Sequence, residues 1–199
     1  AIIYNIEWQE KTLLGRAEWI KFMGAFFDKE QLADSIFHSV ETRYNEIKAA
    51  AAKVQNKPGI LSGQDYRGSW SMPTGLSYNA QLFRDAGGSY FYANDTTASG
   101  SRSSTIEEAL VHFGQADVWV GADASSLEEL GSIDKKYQLF KAFKNKQVYN
   151  INKRKNKNGG NDYWESGVAR PDLLLSDMIR ILHPELLPDY ETVYMEKLK

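Results

Sequence analysis

The residues best equipped for chemistry in this 199-residue chain are aromatic, and they sit in loops. Tyr66, Arg67, Trp70 and Met72 fall within "QDYRGSWSMP", between a strand-like run and a helical one. Tyr163 and Trp164 close the polar stretch "NKRKNKNGGNDYW", and Asp123 follows the apolar run "ADVWV". Trp8 ends the opening run "AIIYNIEW". Aromatic side chains each bury roughly 150–250 Å² and tolerate a wet rim, so such a group suits a platform for a large, flat or partly apolar ligand. Taken singly, each ring could instead fold back as a lid on the core.

Acid–base, nucleophilic and metal chemistry find little to work with. The chain has no cysteine, which removes disulfides, thiol nucleophiles and cysteine zinc sites together. His38 and His112 lie on amphipathic helical patterns, and His183 precedes Pro184 at a helix end, so none falls in the aromatic loops. No G-x-S-x-G, H-E-x-x-H or phosphate-loop pattern occurs. "DAGG" follows a helical segment rather than a strand and reads as a helix stop. No metal and no cofactor is expected. The formal net charge of −2 gives no electrostatic footprint for nucleic acid. The basic run from Lys153 to Lys157 reads as a solvated loop that could attract an anion or a membrane-proximal partner. No apolar run reaches the eighteen or so residues a membrane helix needs.

The elements that must position these loops alternate between strand and helix patterns. "AIIYNIEW" reads as a strand, and "RAEWIKFMGAFF" as a helix able to turn Trp19, Ile20, Met23, Phe26 and Phe27 to one side. Asp28 and Gln31 have capping-box spacing ahead of a helix of about 25 residues, roughly 38 Å long. "PGILSG", "SYFYA", "ADVWV" and "QVYNI" read as strands, "NDTTASGSRSS" as a loop, and "RPDLLLSDMIRILHPELLPDY" as a helix opened by Pro171. A second capping box runs from Ser104 to Glu107, and Glu108 could take over that duty from Thr105. The alternation predicts an α/β three-layer sandwich lobe with a mostly parallel sheet, preceded by a long spine helix. The boundaries are 1–27 for a remnant strand and helix, 28–56 for the spine, and 57–199 for the lobe. Ligands of open α/β sheets bind beyond the carboxyl ends of the strands, where the loops of Tyr66, Asp123 and Trp164 should gather.

The order "PGIL", Trp70, "AGG", "STIEEAL", "ADVWV", "AFKNKQVYNI" and "GVARPDLLLSDMIRILHPELLP" resembles the class III periplasmic solute-binding proteins of ABC importers. The resemblance spans nearly the whole chain but only the second half of that family's pattern. It implies binding rather than catalysis, in a cleft between two lobes of which one is present. The implied ligand is an iron–siderophore, haem or cobalamin-type solute, and the implied partner is a membrane permease. A surface glutamate of each lobe docks on permease arginines in that family, and the match Thr105-Ile106-Glu107 carries this role to Glu107. A monomer at the periplasm or cell surface, with a lipoprotein anchor as one form, follows from the same likeness. The family's Asn-Pro-Asp turn reads Gln115-Ala116-Asp117 here, and the histidines do not fit its bare-metal branch. The alternative is an α/β enzyme or nucleotide-type binding domain that shares only the layer order.

Overall fold

The computed structural model describes Ile2, residues 4–97 and residues 100–199. Two helices lead. α1 (Leu13–Gly24) starts where the Thr12 side chain accepts the Gly15 N–H, and α2 (Glu30–Ala51) is the spine. Then come β1 (Ile60–Ser62), β2 (Asp65–Tyr66), β3 (Ser69–Pro73) and α3 (Tyr78–Asp85). β4 (Ser101–Ser104), α4 (Ile106–Phe113), β5 (Val118–Val120), α5 (Leu127–Ile133) and α6 (Lys141–Lys144) follow. β6 (Val148–Asn150), α7 (Ser166–Ala169), α8 (Pro171–Leu182) and β7 (Glu196–Lys197) complete the chain. The main sheet runs β1-β5-β6-β7, with the first three strands parallel and β7 antiparallel to β6. Its three parallel strands are apolar runs, as strands covered on both faces must be. This is the expected α/β architecture with a parallel-dominated sheet. β2, β3 and β4 form a separate antiparallel sheet.

Two buried carboxylates fasten the spine to the lobe. Asp85 of α3 accepts the Tyr44 hydroxyl at 2.7 Å and faces Lys48 Nζ at 3.1 Å. Asp172 of α8 receives Arg170 Nε and Nη2 at 2.9 Å each, and Arg43 Nη2 lies 3.2 Å away. Both acids are almost fully buried, so their partners supply what lost hydration took away.

The local predictions fail where pairing or packing overrides pattern. "AIIYNIEW" is not a strand over its described residues. Ala1 and Ile3 lie outside those residues, and Glu7–Gln9 is a short 3-10 turn. A strand needs a ladder partner, and none among the described residues lies alongside it, which leaves Tyr4 and Trp8 exposed. The rings of "SYFYA" pack instead on Phe113 around a 3-10 turn at Phe91–Asn94. The loop "NDTTASGSRSS" contains β4, while its Ala98 and Ser99 lie outside the described residues. The Asp28 capping box does not form: Lys29 takes the cap position without a side-chain bond, and Asp28 adopts φ +52°. α8 stops at Leu182 because the residue before a proline, His183, disfavours helix. On α1 the buried face is Leu13, Ala17 and Gly24, while Met23 points outward, as do Phe26 and Phe27 in the turn just after it.

The start of the sheet is pinned by Asp117. Its carboxylate accepts the Gly59 N–H at 2.7 Å and the Lys141 ammonium at 2.7 Å. Burial alone would push this carboxyl up, but Lys141 and the Gly59 amide together hold it below the usual carboxylate range. A depressed folded-state pKa stabilises the fold above the unfolded value, and that contribution is lost as pH falls through the folded one. Wild-type stability is therefore expected to decline below about pH 4, the ordinary carboxylate range, and more steeply than that of Asp117→Asn. Urea unfolding at stepwise lower pH checks this, and parallel curves would refute it.

Candidate functional site

β1, β5 and β6 end side by side at Ser62, Val120 and Asn150, and the chain turns sharply there. Gly63 and Gly121 take φ +76° and +75°, a conformation that L side chains rarely adopt. Their backbone is tied into the sheet: Gly63 N donates to Val120 O at 2.9 Å, and Gly121 N to Tyr149 O at 2.8 Å. Two buried indoles grip the same turn. Trp70 Nε1 donates to Ser62 O at 2.8 Å and Trp119 Nε1 to Gly63 O at 2.7 Å.

Above this turn lies a cavity of about 110 Å³ lined by Gly63, Gly121, Asn79, Tyr163, Trp164 and Met195. Asn79 is shared with a neighbouring cleft of about 530 Å³ that also touches Trp8, Ser71, Leu76 and Tyr78. Trp164 is shared with a third hollow of about 320 Å³ bordered by Glu7, Arg16, Trp19 and Val168. The three are linked through Asn79 and Trp164, and the smallest of them sits at the carboxyl ends of β1 and β5. A further hollow of about 650 Å³ is a shallow groove between α5 and α6 lined by Leu127, Lys135, Phe143 and Lys146. It holds none of the loop aromatics, so the carboxyl edge is the better candidate despite its smaller cavities.

The sequence-derived residues divide here. Trp8 and Trp164 are exposed; Trp164 lines the small cavity at the strand ends, and Trp8 lines the neighbouring cleft that shares Asn79 with it. Tyr66 is 71% exposed at the tip of the β2–β3 hairpin, with the Arg67 guanidinium 5.1 Å from its ring centre. Arg67 at φ +55° and Gly68 at φ +84° make that tip tight. Tyr163 is buried but lines the small cavity, and its ring meets Trp164 edge-on at 4.7 Å. Burial pushes its phenol well above the ordinary range. Asp123 is exposed, with its N–H on Gln64 Oε1 and its carboxylate facing Asn152 Nδ2.

Trp70 and Met72 are corrections. Both are fully buried, because β3 alternates Ser69 and Ser71 outward with Trp70 and Met72 inward. Trp70 packs against Trp119, Tyr137 and Phe140 with ring centres 5.6–6.0 Å apart. Neither side chain can line a ligand wall. Sequence reasoning also missed Asn79 and Met195. Asn79 follows the helix cap Ser77, whose side chain accepts the Ala80 N–H. That cap signal, next to a strand-end loop, could have pointed to it. Met195 sits in a terminal segment with no periodic pattern.

Glu107 lies in the first turn of α4 and is exposed. The expected Ser104–Glu107 box does not form. Thr105 is the cap and accepts the Glu108 N–H, while the Glu108 carboxylate accepts the Ser104 hydroxyl. Glu107 stands outside that Ser104–Glu108 contact, and its carboxylate meets Lys136 Nζ at 2.6 Å. The Lys136 ammonium, followed by the helix-start amide, holds its carboxyl below the usual range. Among the described residues no group of three or more His, Cys, Asp or Glu side chains is placed to hold a metal ion. His183 is buried against the Gly87 carbonyl, and His112 stacks on Phe91 at 4.1 Å.

A model of the periplasmic binding protein family matches residues 7–155. An uncharacterised lipoprotein of Methanocaldococcus jannaschii is 29% identical over 98% of this chain and 45% of its own length. A second uncharacterised lipoprotein of that organism is 26% identical over 96% of this chain and 49% of its own. The chain thus spans about half the length of these relatives. Among solved structures, an ABC transporter substrate-binding protein from Listeria monocytogenes superposes with a TM-score of 0.63 at 20% identity, covering 87% of this chain and 66% of that one. S. aureus IsdE complexed with heme gives 0.62 at 21%, with the same coverage of 87% and 66%. Helicobacter pylori CeuE with Ni(II) bound gives 0.65 at 18%, covering 92% and 55%. At these identities the likeness establishes the fold.

Proposed function

The chain belongs to the periplasmic binding protein family, and from that premise we propose that it is the second-lobe part of a solute-binding component of an ABC importer. It captures a chelated-metal or tetrapyrrole-type solute, such as an iron–siderophore, haem or a corrinoid, and hands it to a membrane permease. It acts by binding, without a catalytic step. Residues 57–199 form the lobe, 28–56 the spine, and 1–27 the approach from a first lobe. The outward Met23 of α1, with Phe26 and Phe27 in the turn after it, is then a face for that first lobe to cover. The periplasmic family and the lipoprotein names of its relatives support a location outside the cytoplasmic membrane.

The observation that supports this reading is the set of exposed aromatic rings in and around the linked hollows. Trp8 and Trp164 line linked hollows, and Tyr66 projects with Arg67 from the hairpin that leaves the same strand end. Rings that stay exposed are hydrated at a cost, which a flat apolar solute relieves, while Arg67 answers its negative charge.

The test is a titration of a two-lobed protein of the relatives' length with haemin, ferric chelates and cobalamin, followed by tryptophan emission. Trp164→Ala is expected to weaken the best solute ~10- to 100-fold, as anchoring aromatics do. The melting temperature should hold within about 3 °C, as for other exposed positions. Unchanged affinity in Trp164→Ala, or no binding of any of these solutes, would remove the proposal.

A further inference from the structure

We propose that Asp177 is a positioning residue for the candidate site, acting from the interior of α8 through the terminal segment 190–198. The inference rests on reading the carboxyl edge as the solute wall.

Asp177 is fully buried in the middle of α8, and among the described residues no cation pairs with it. Its charge is met instead by four donors, two on each oxygen. Oδ1 accepts the Tyr190 hydroxyl and the Val193 N–H, both at 2.8 Å. Oδ2 accepts the Tyr194 N–H at 2.7 Å and the Met195 N–H at 3.0 Å. All four donors belong to the terminal segment. A helix interior needs no acid for its own packing, and burying one is costly unless it is fully hydrogen-bonded. The carboxylate therefore serves the segment rather than the helix.

What the segment carries is the floor of the cavity. Met195 lines it beside Tyr163, Trp164, Gly63 and Gly121. The Tyr194 hydroxyl shares a hydrogen bond with Ser166 Oγ at 2.9 Å, and its ring meets Tyr163 at 6.3 Å. Lys153 N donates to Tyr194 O, which ties the segment to the loop that ends in Tyr163 and Trp164. Beyond it, β7 pairs with β6 and the Lys199 carbonyl accepts the Leu127 N–H at the start of α5. One carboxylate thus sets the depth of Met195 and, through Tyr194, the seating of the Tyr163–Trp164 wall.

The variants form a graded series. Asp177→Leu keeps an apolar filling of similar size and removes all four bonds. Asp177→Asn can turn its amide towards Tyr190, whose hydroxyl can accept, and then only the Val193 N–H loses its partner. Tyr190→Phe removes a single donor. Amide exchange at 193–195 is expected to quicken about tenfold or more in Asp177→Asn and by about another factor of ten in Asp177→Leu. The telling readout is ¹⁹F NMR of the 5-fluorotryptophan-labelled chain, with Trp164 identified through Trp164→Phe. The Trp164 resonance should shift in the order Leu, then Asn, then Tyr190→Phe, while those of Trp70 and Trp119 stay in place. Should Asp177→Leu fail to fold, the two milder variants carry the test. The proposal fails if Trp164 and the 193–195 amides are unmoved in Asp177→Asn, or if all the tryptophan resonances move together. No solute enters this experiment, so it can fail while haemin or a corrinoid still binds, and succeed when none does.

Discussion

Trp70→Ala is expected to lower stability by ~3–5 kcal/mol, the range for removing a large aromatic from a core. For a domain of this size that is a fall of about 6–20 °C in melting temperature. The indole is fully buried, its ring contacts Trp119, Tyr137 and Phe140, and its N–H satisfies the Ser62 carbonyl. Truncation opens a cavity and orphans that carbonyl at the end of β1 together. Trp70→Phe should fall between, since it keeps much of the packing but leaves the buried carbonyl unmet, worth ~1–3 kcal/mol. Tyr66→Ala, only a few residues away and 71% exposed, should stay within about 0.5 kcal/mol of the parent. Thermal and urea unfolding by circular dichroism separate the three. A Trp70→Ala protein melting within about 3 °C of the parent would show that the aromatic cluster is not what holds β3 on the sheet.

In a two-lobed protein of the relatives' length, Glu107→Arg is expected to cut uptake at limiting solute about tenfold or more, because like charges set against each other at an interface oppose docking strongly. Solute affinity and melting temperature should hardly change. The carboxylate is exposed, Thr105 and Glu108 perform the capping, and the residue lines none of the edge hollows. Glu107→Ala should be milder, since it removes an attraction without adding a repulsion. Lys136 also matters to this prediction: its ammonium already holds Glu107 at 2.6 Å, and a docking arginine would have to share or displace it. Lys136→Ala should therefore leave uptake intact or raise it. Uptake assays in cells carrying the matching permease decide this, and normal transport by Glu107→Arg would end the docking role.

The parallel strands were legible because each is a short apolar run after a turn, and Pro171 marked the start of α8 without ambiguity. The antiparallel sheet was not. "SWSMP" does alternate with period two, but glycine and serine around it gave the look of a loop. Its partner "SRSS" has no apolar face at all and is held by backbone pairing with β3. That one misreading sent Trp70 and Met72 to the ligand wall when the pleat sends them inward. Tyr66 and Trp164 were legible as loop aromatics after strand ends and are exposed, whereas Trp8, read at the end of a strand, is exposed in a 3-10 turn instead. Asn79 and Met195 depend on how distant segments meet, which no local pattern encodes.

The turn after β1 has already used much of its backbone polarity. Gly63 N is committed to Val120 O, the Ser62 and Gly63 carbonyls to two indoles, and Gly121 N to Tyr149 O. The two amides cannot bind a guest without breaking a bond to the sheet, and each of the two carbonyls already holds an indole. On the proposed reading, recognition here falls mainly to side chains that the scaffold does not need, Tyr66, Arg67 and Trp164 among them. Such a division lets selection retune what is held by exchanging surface residues, while the frame beneath stays unaltered. Change at those positions should be cheap for folding and consequential for choice of cargo.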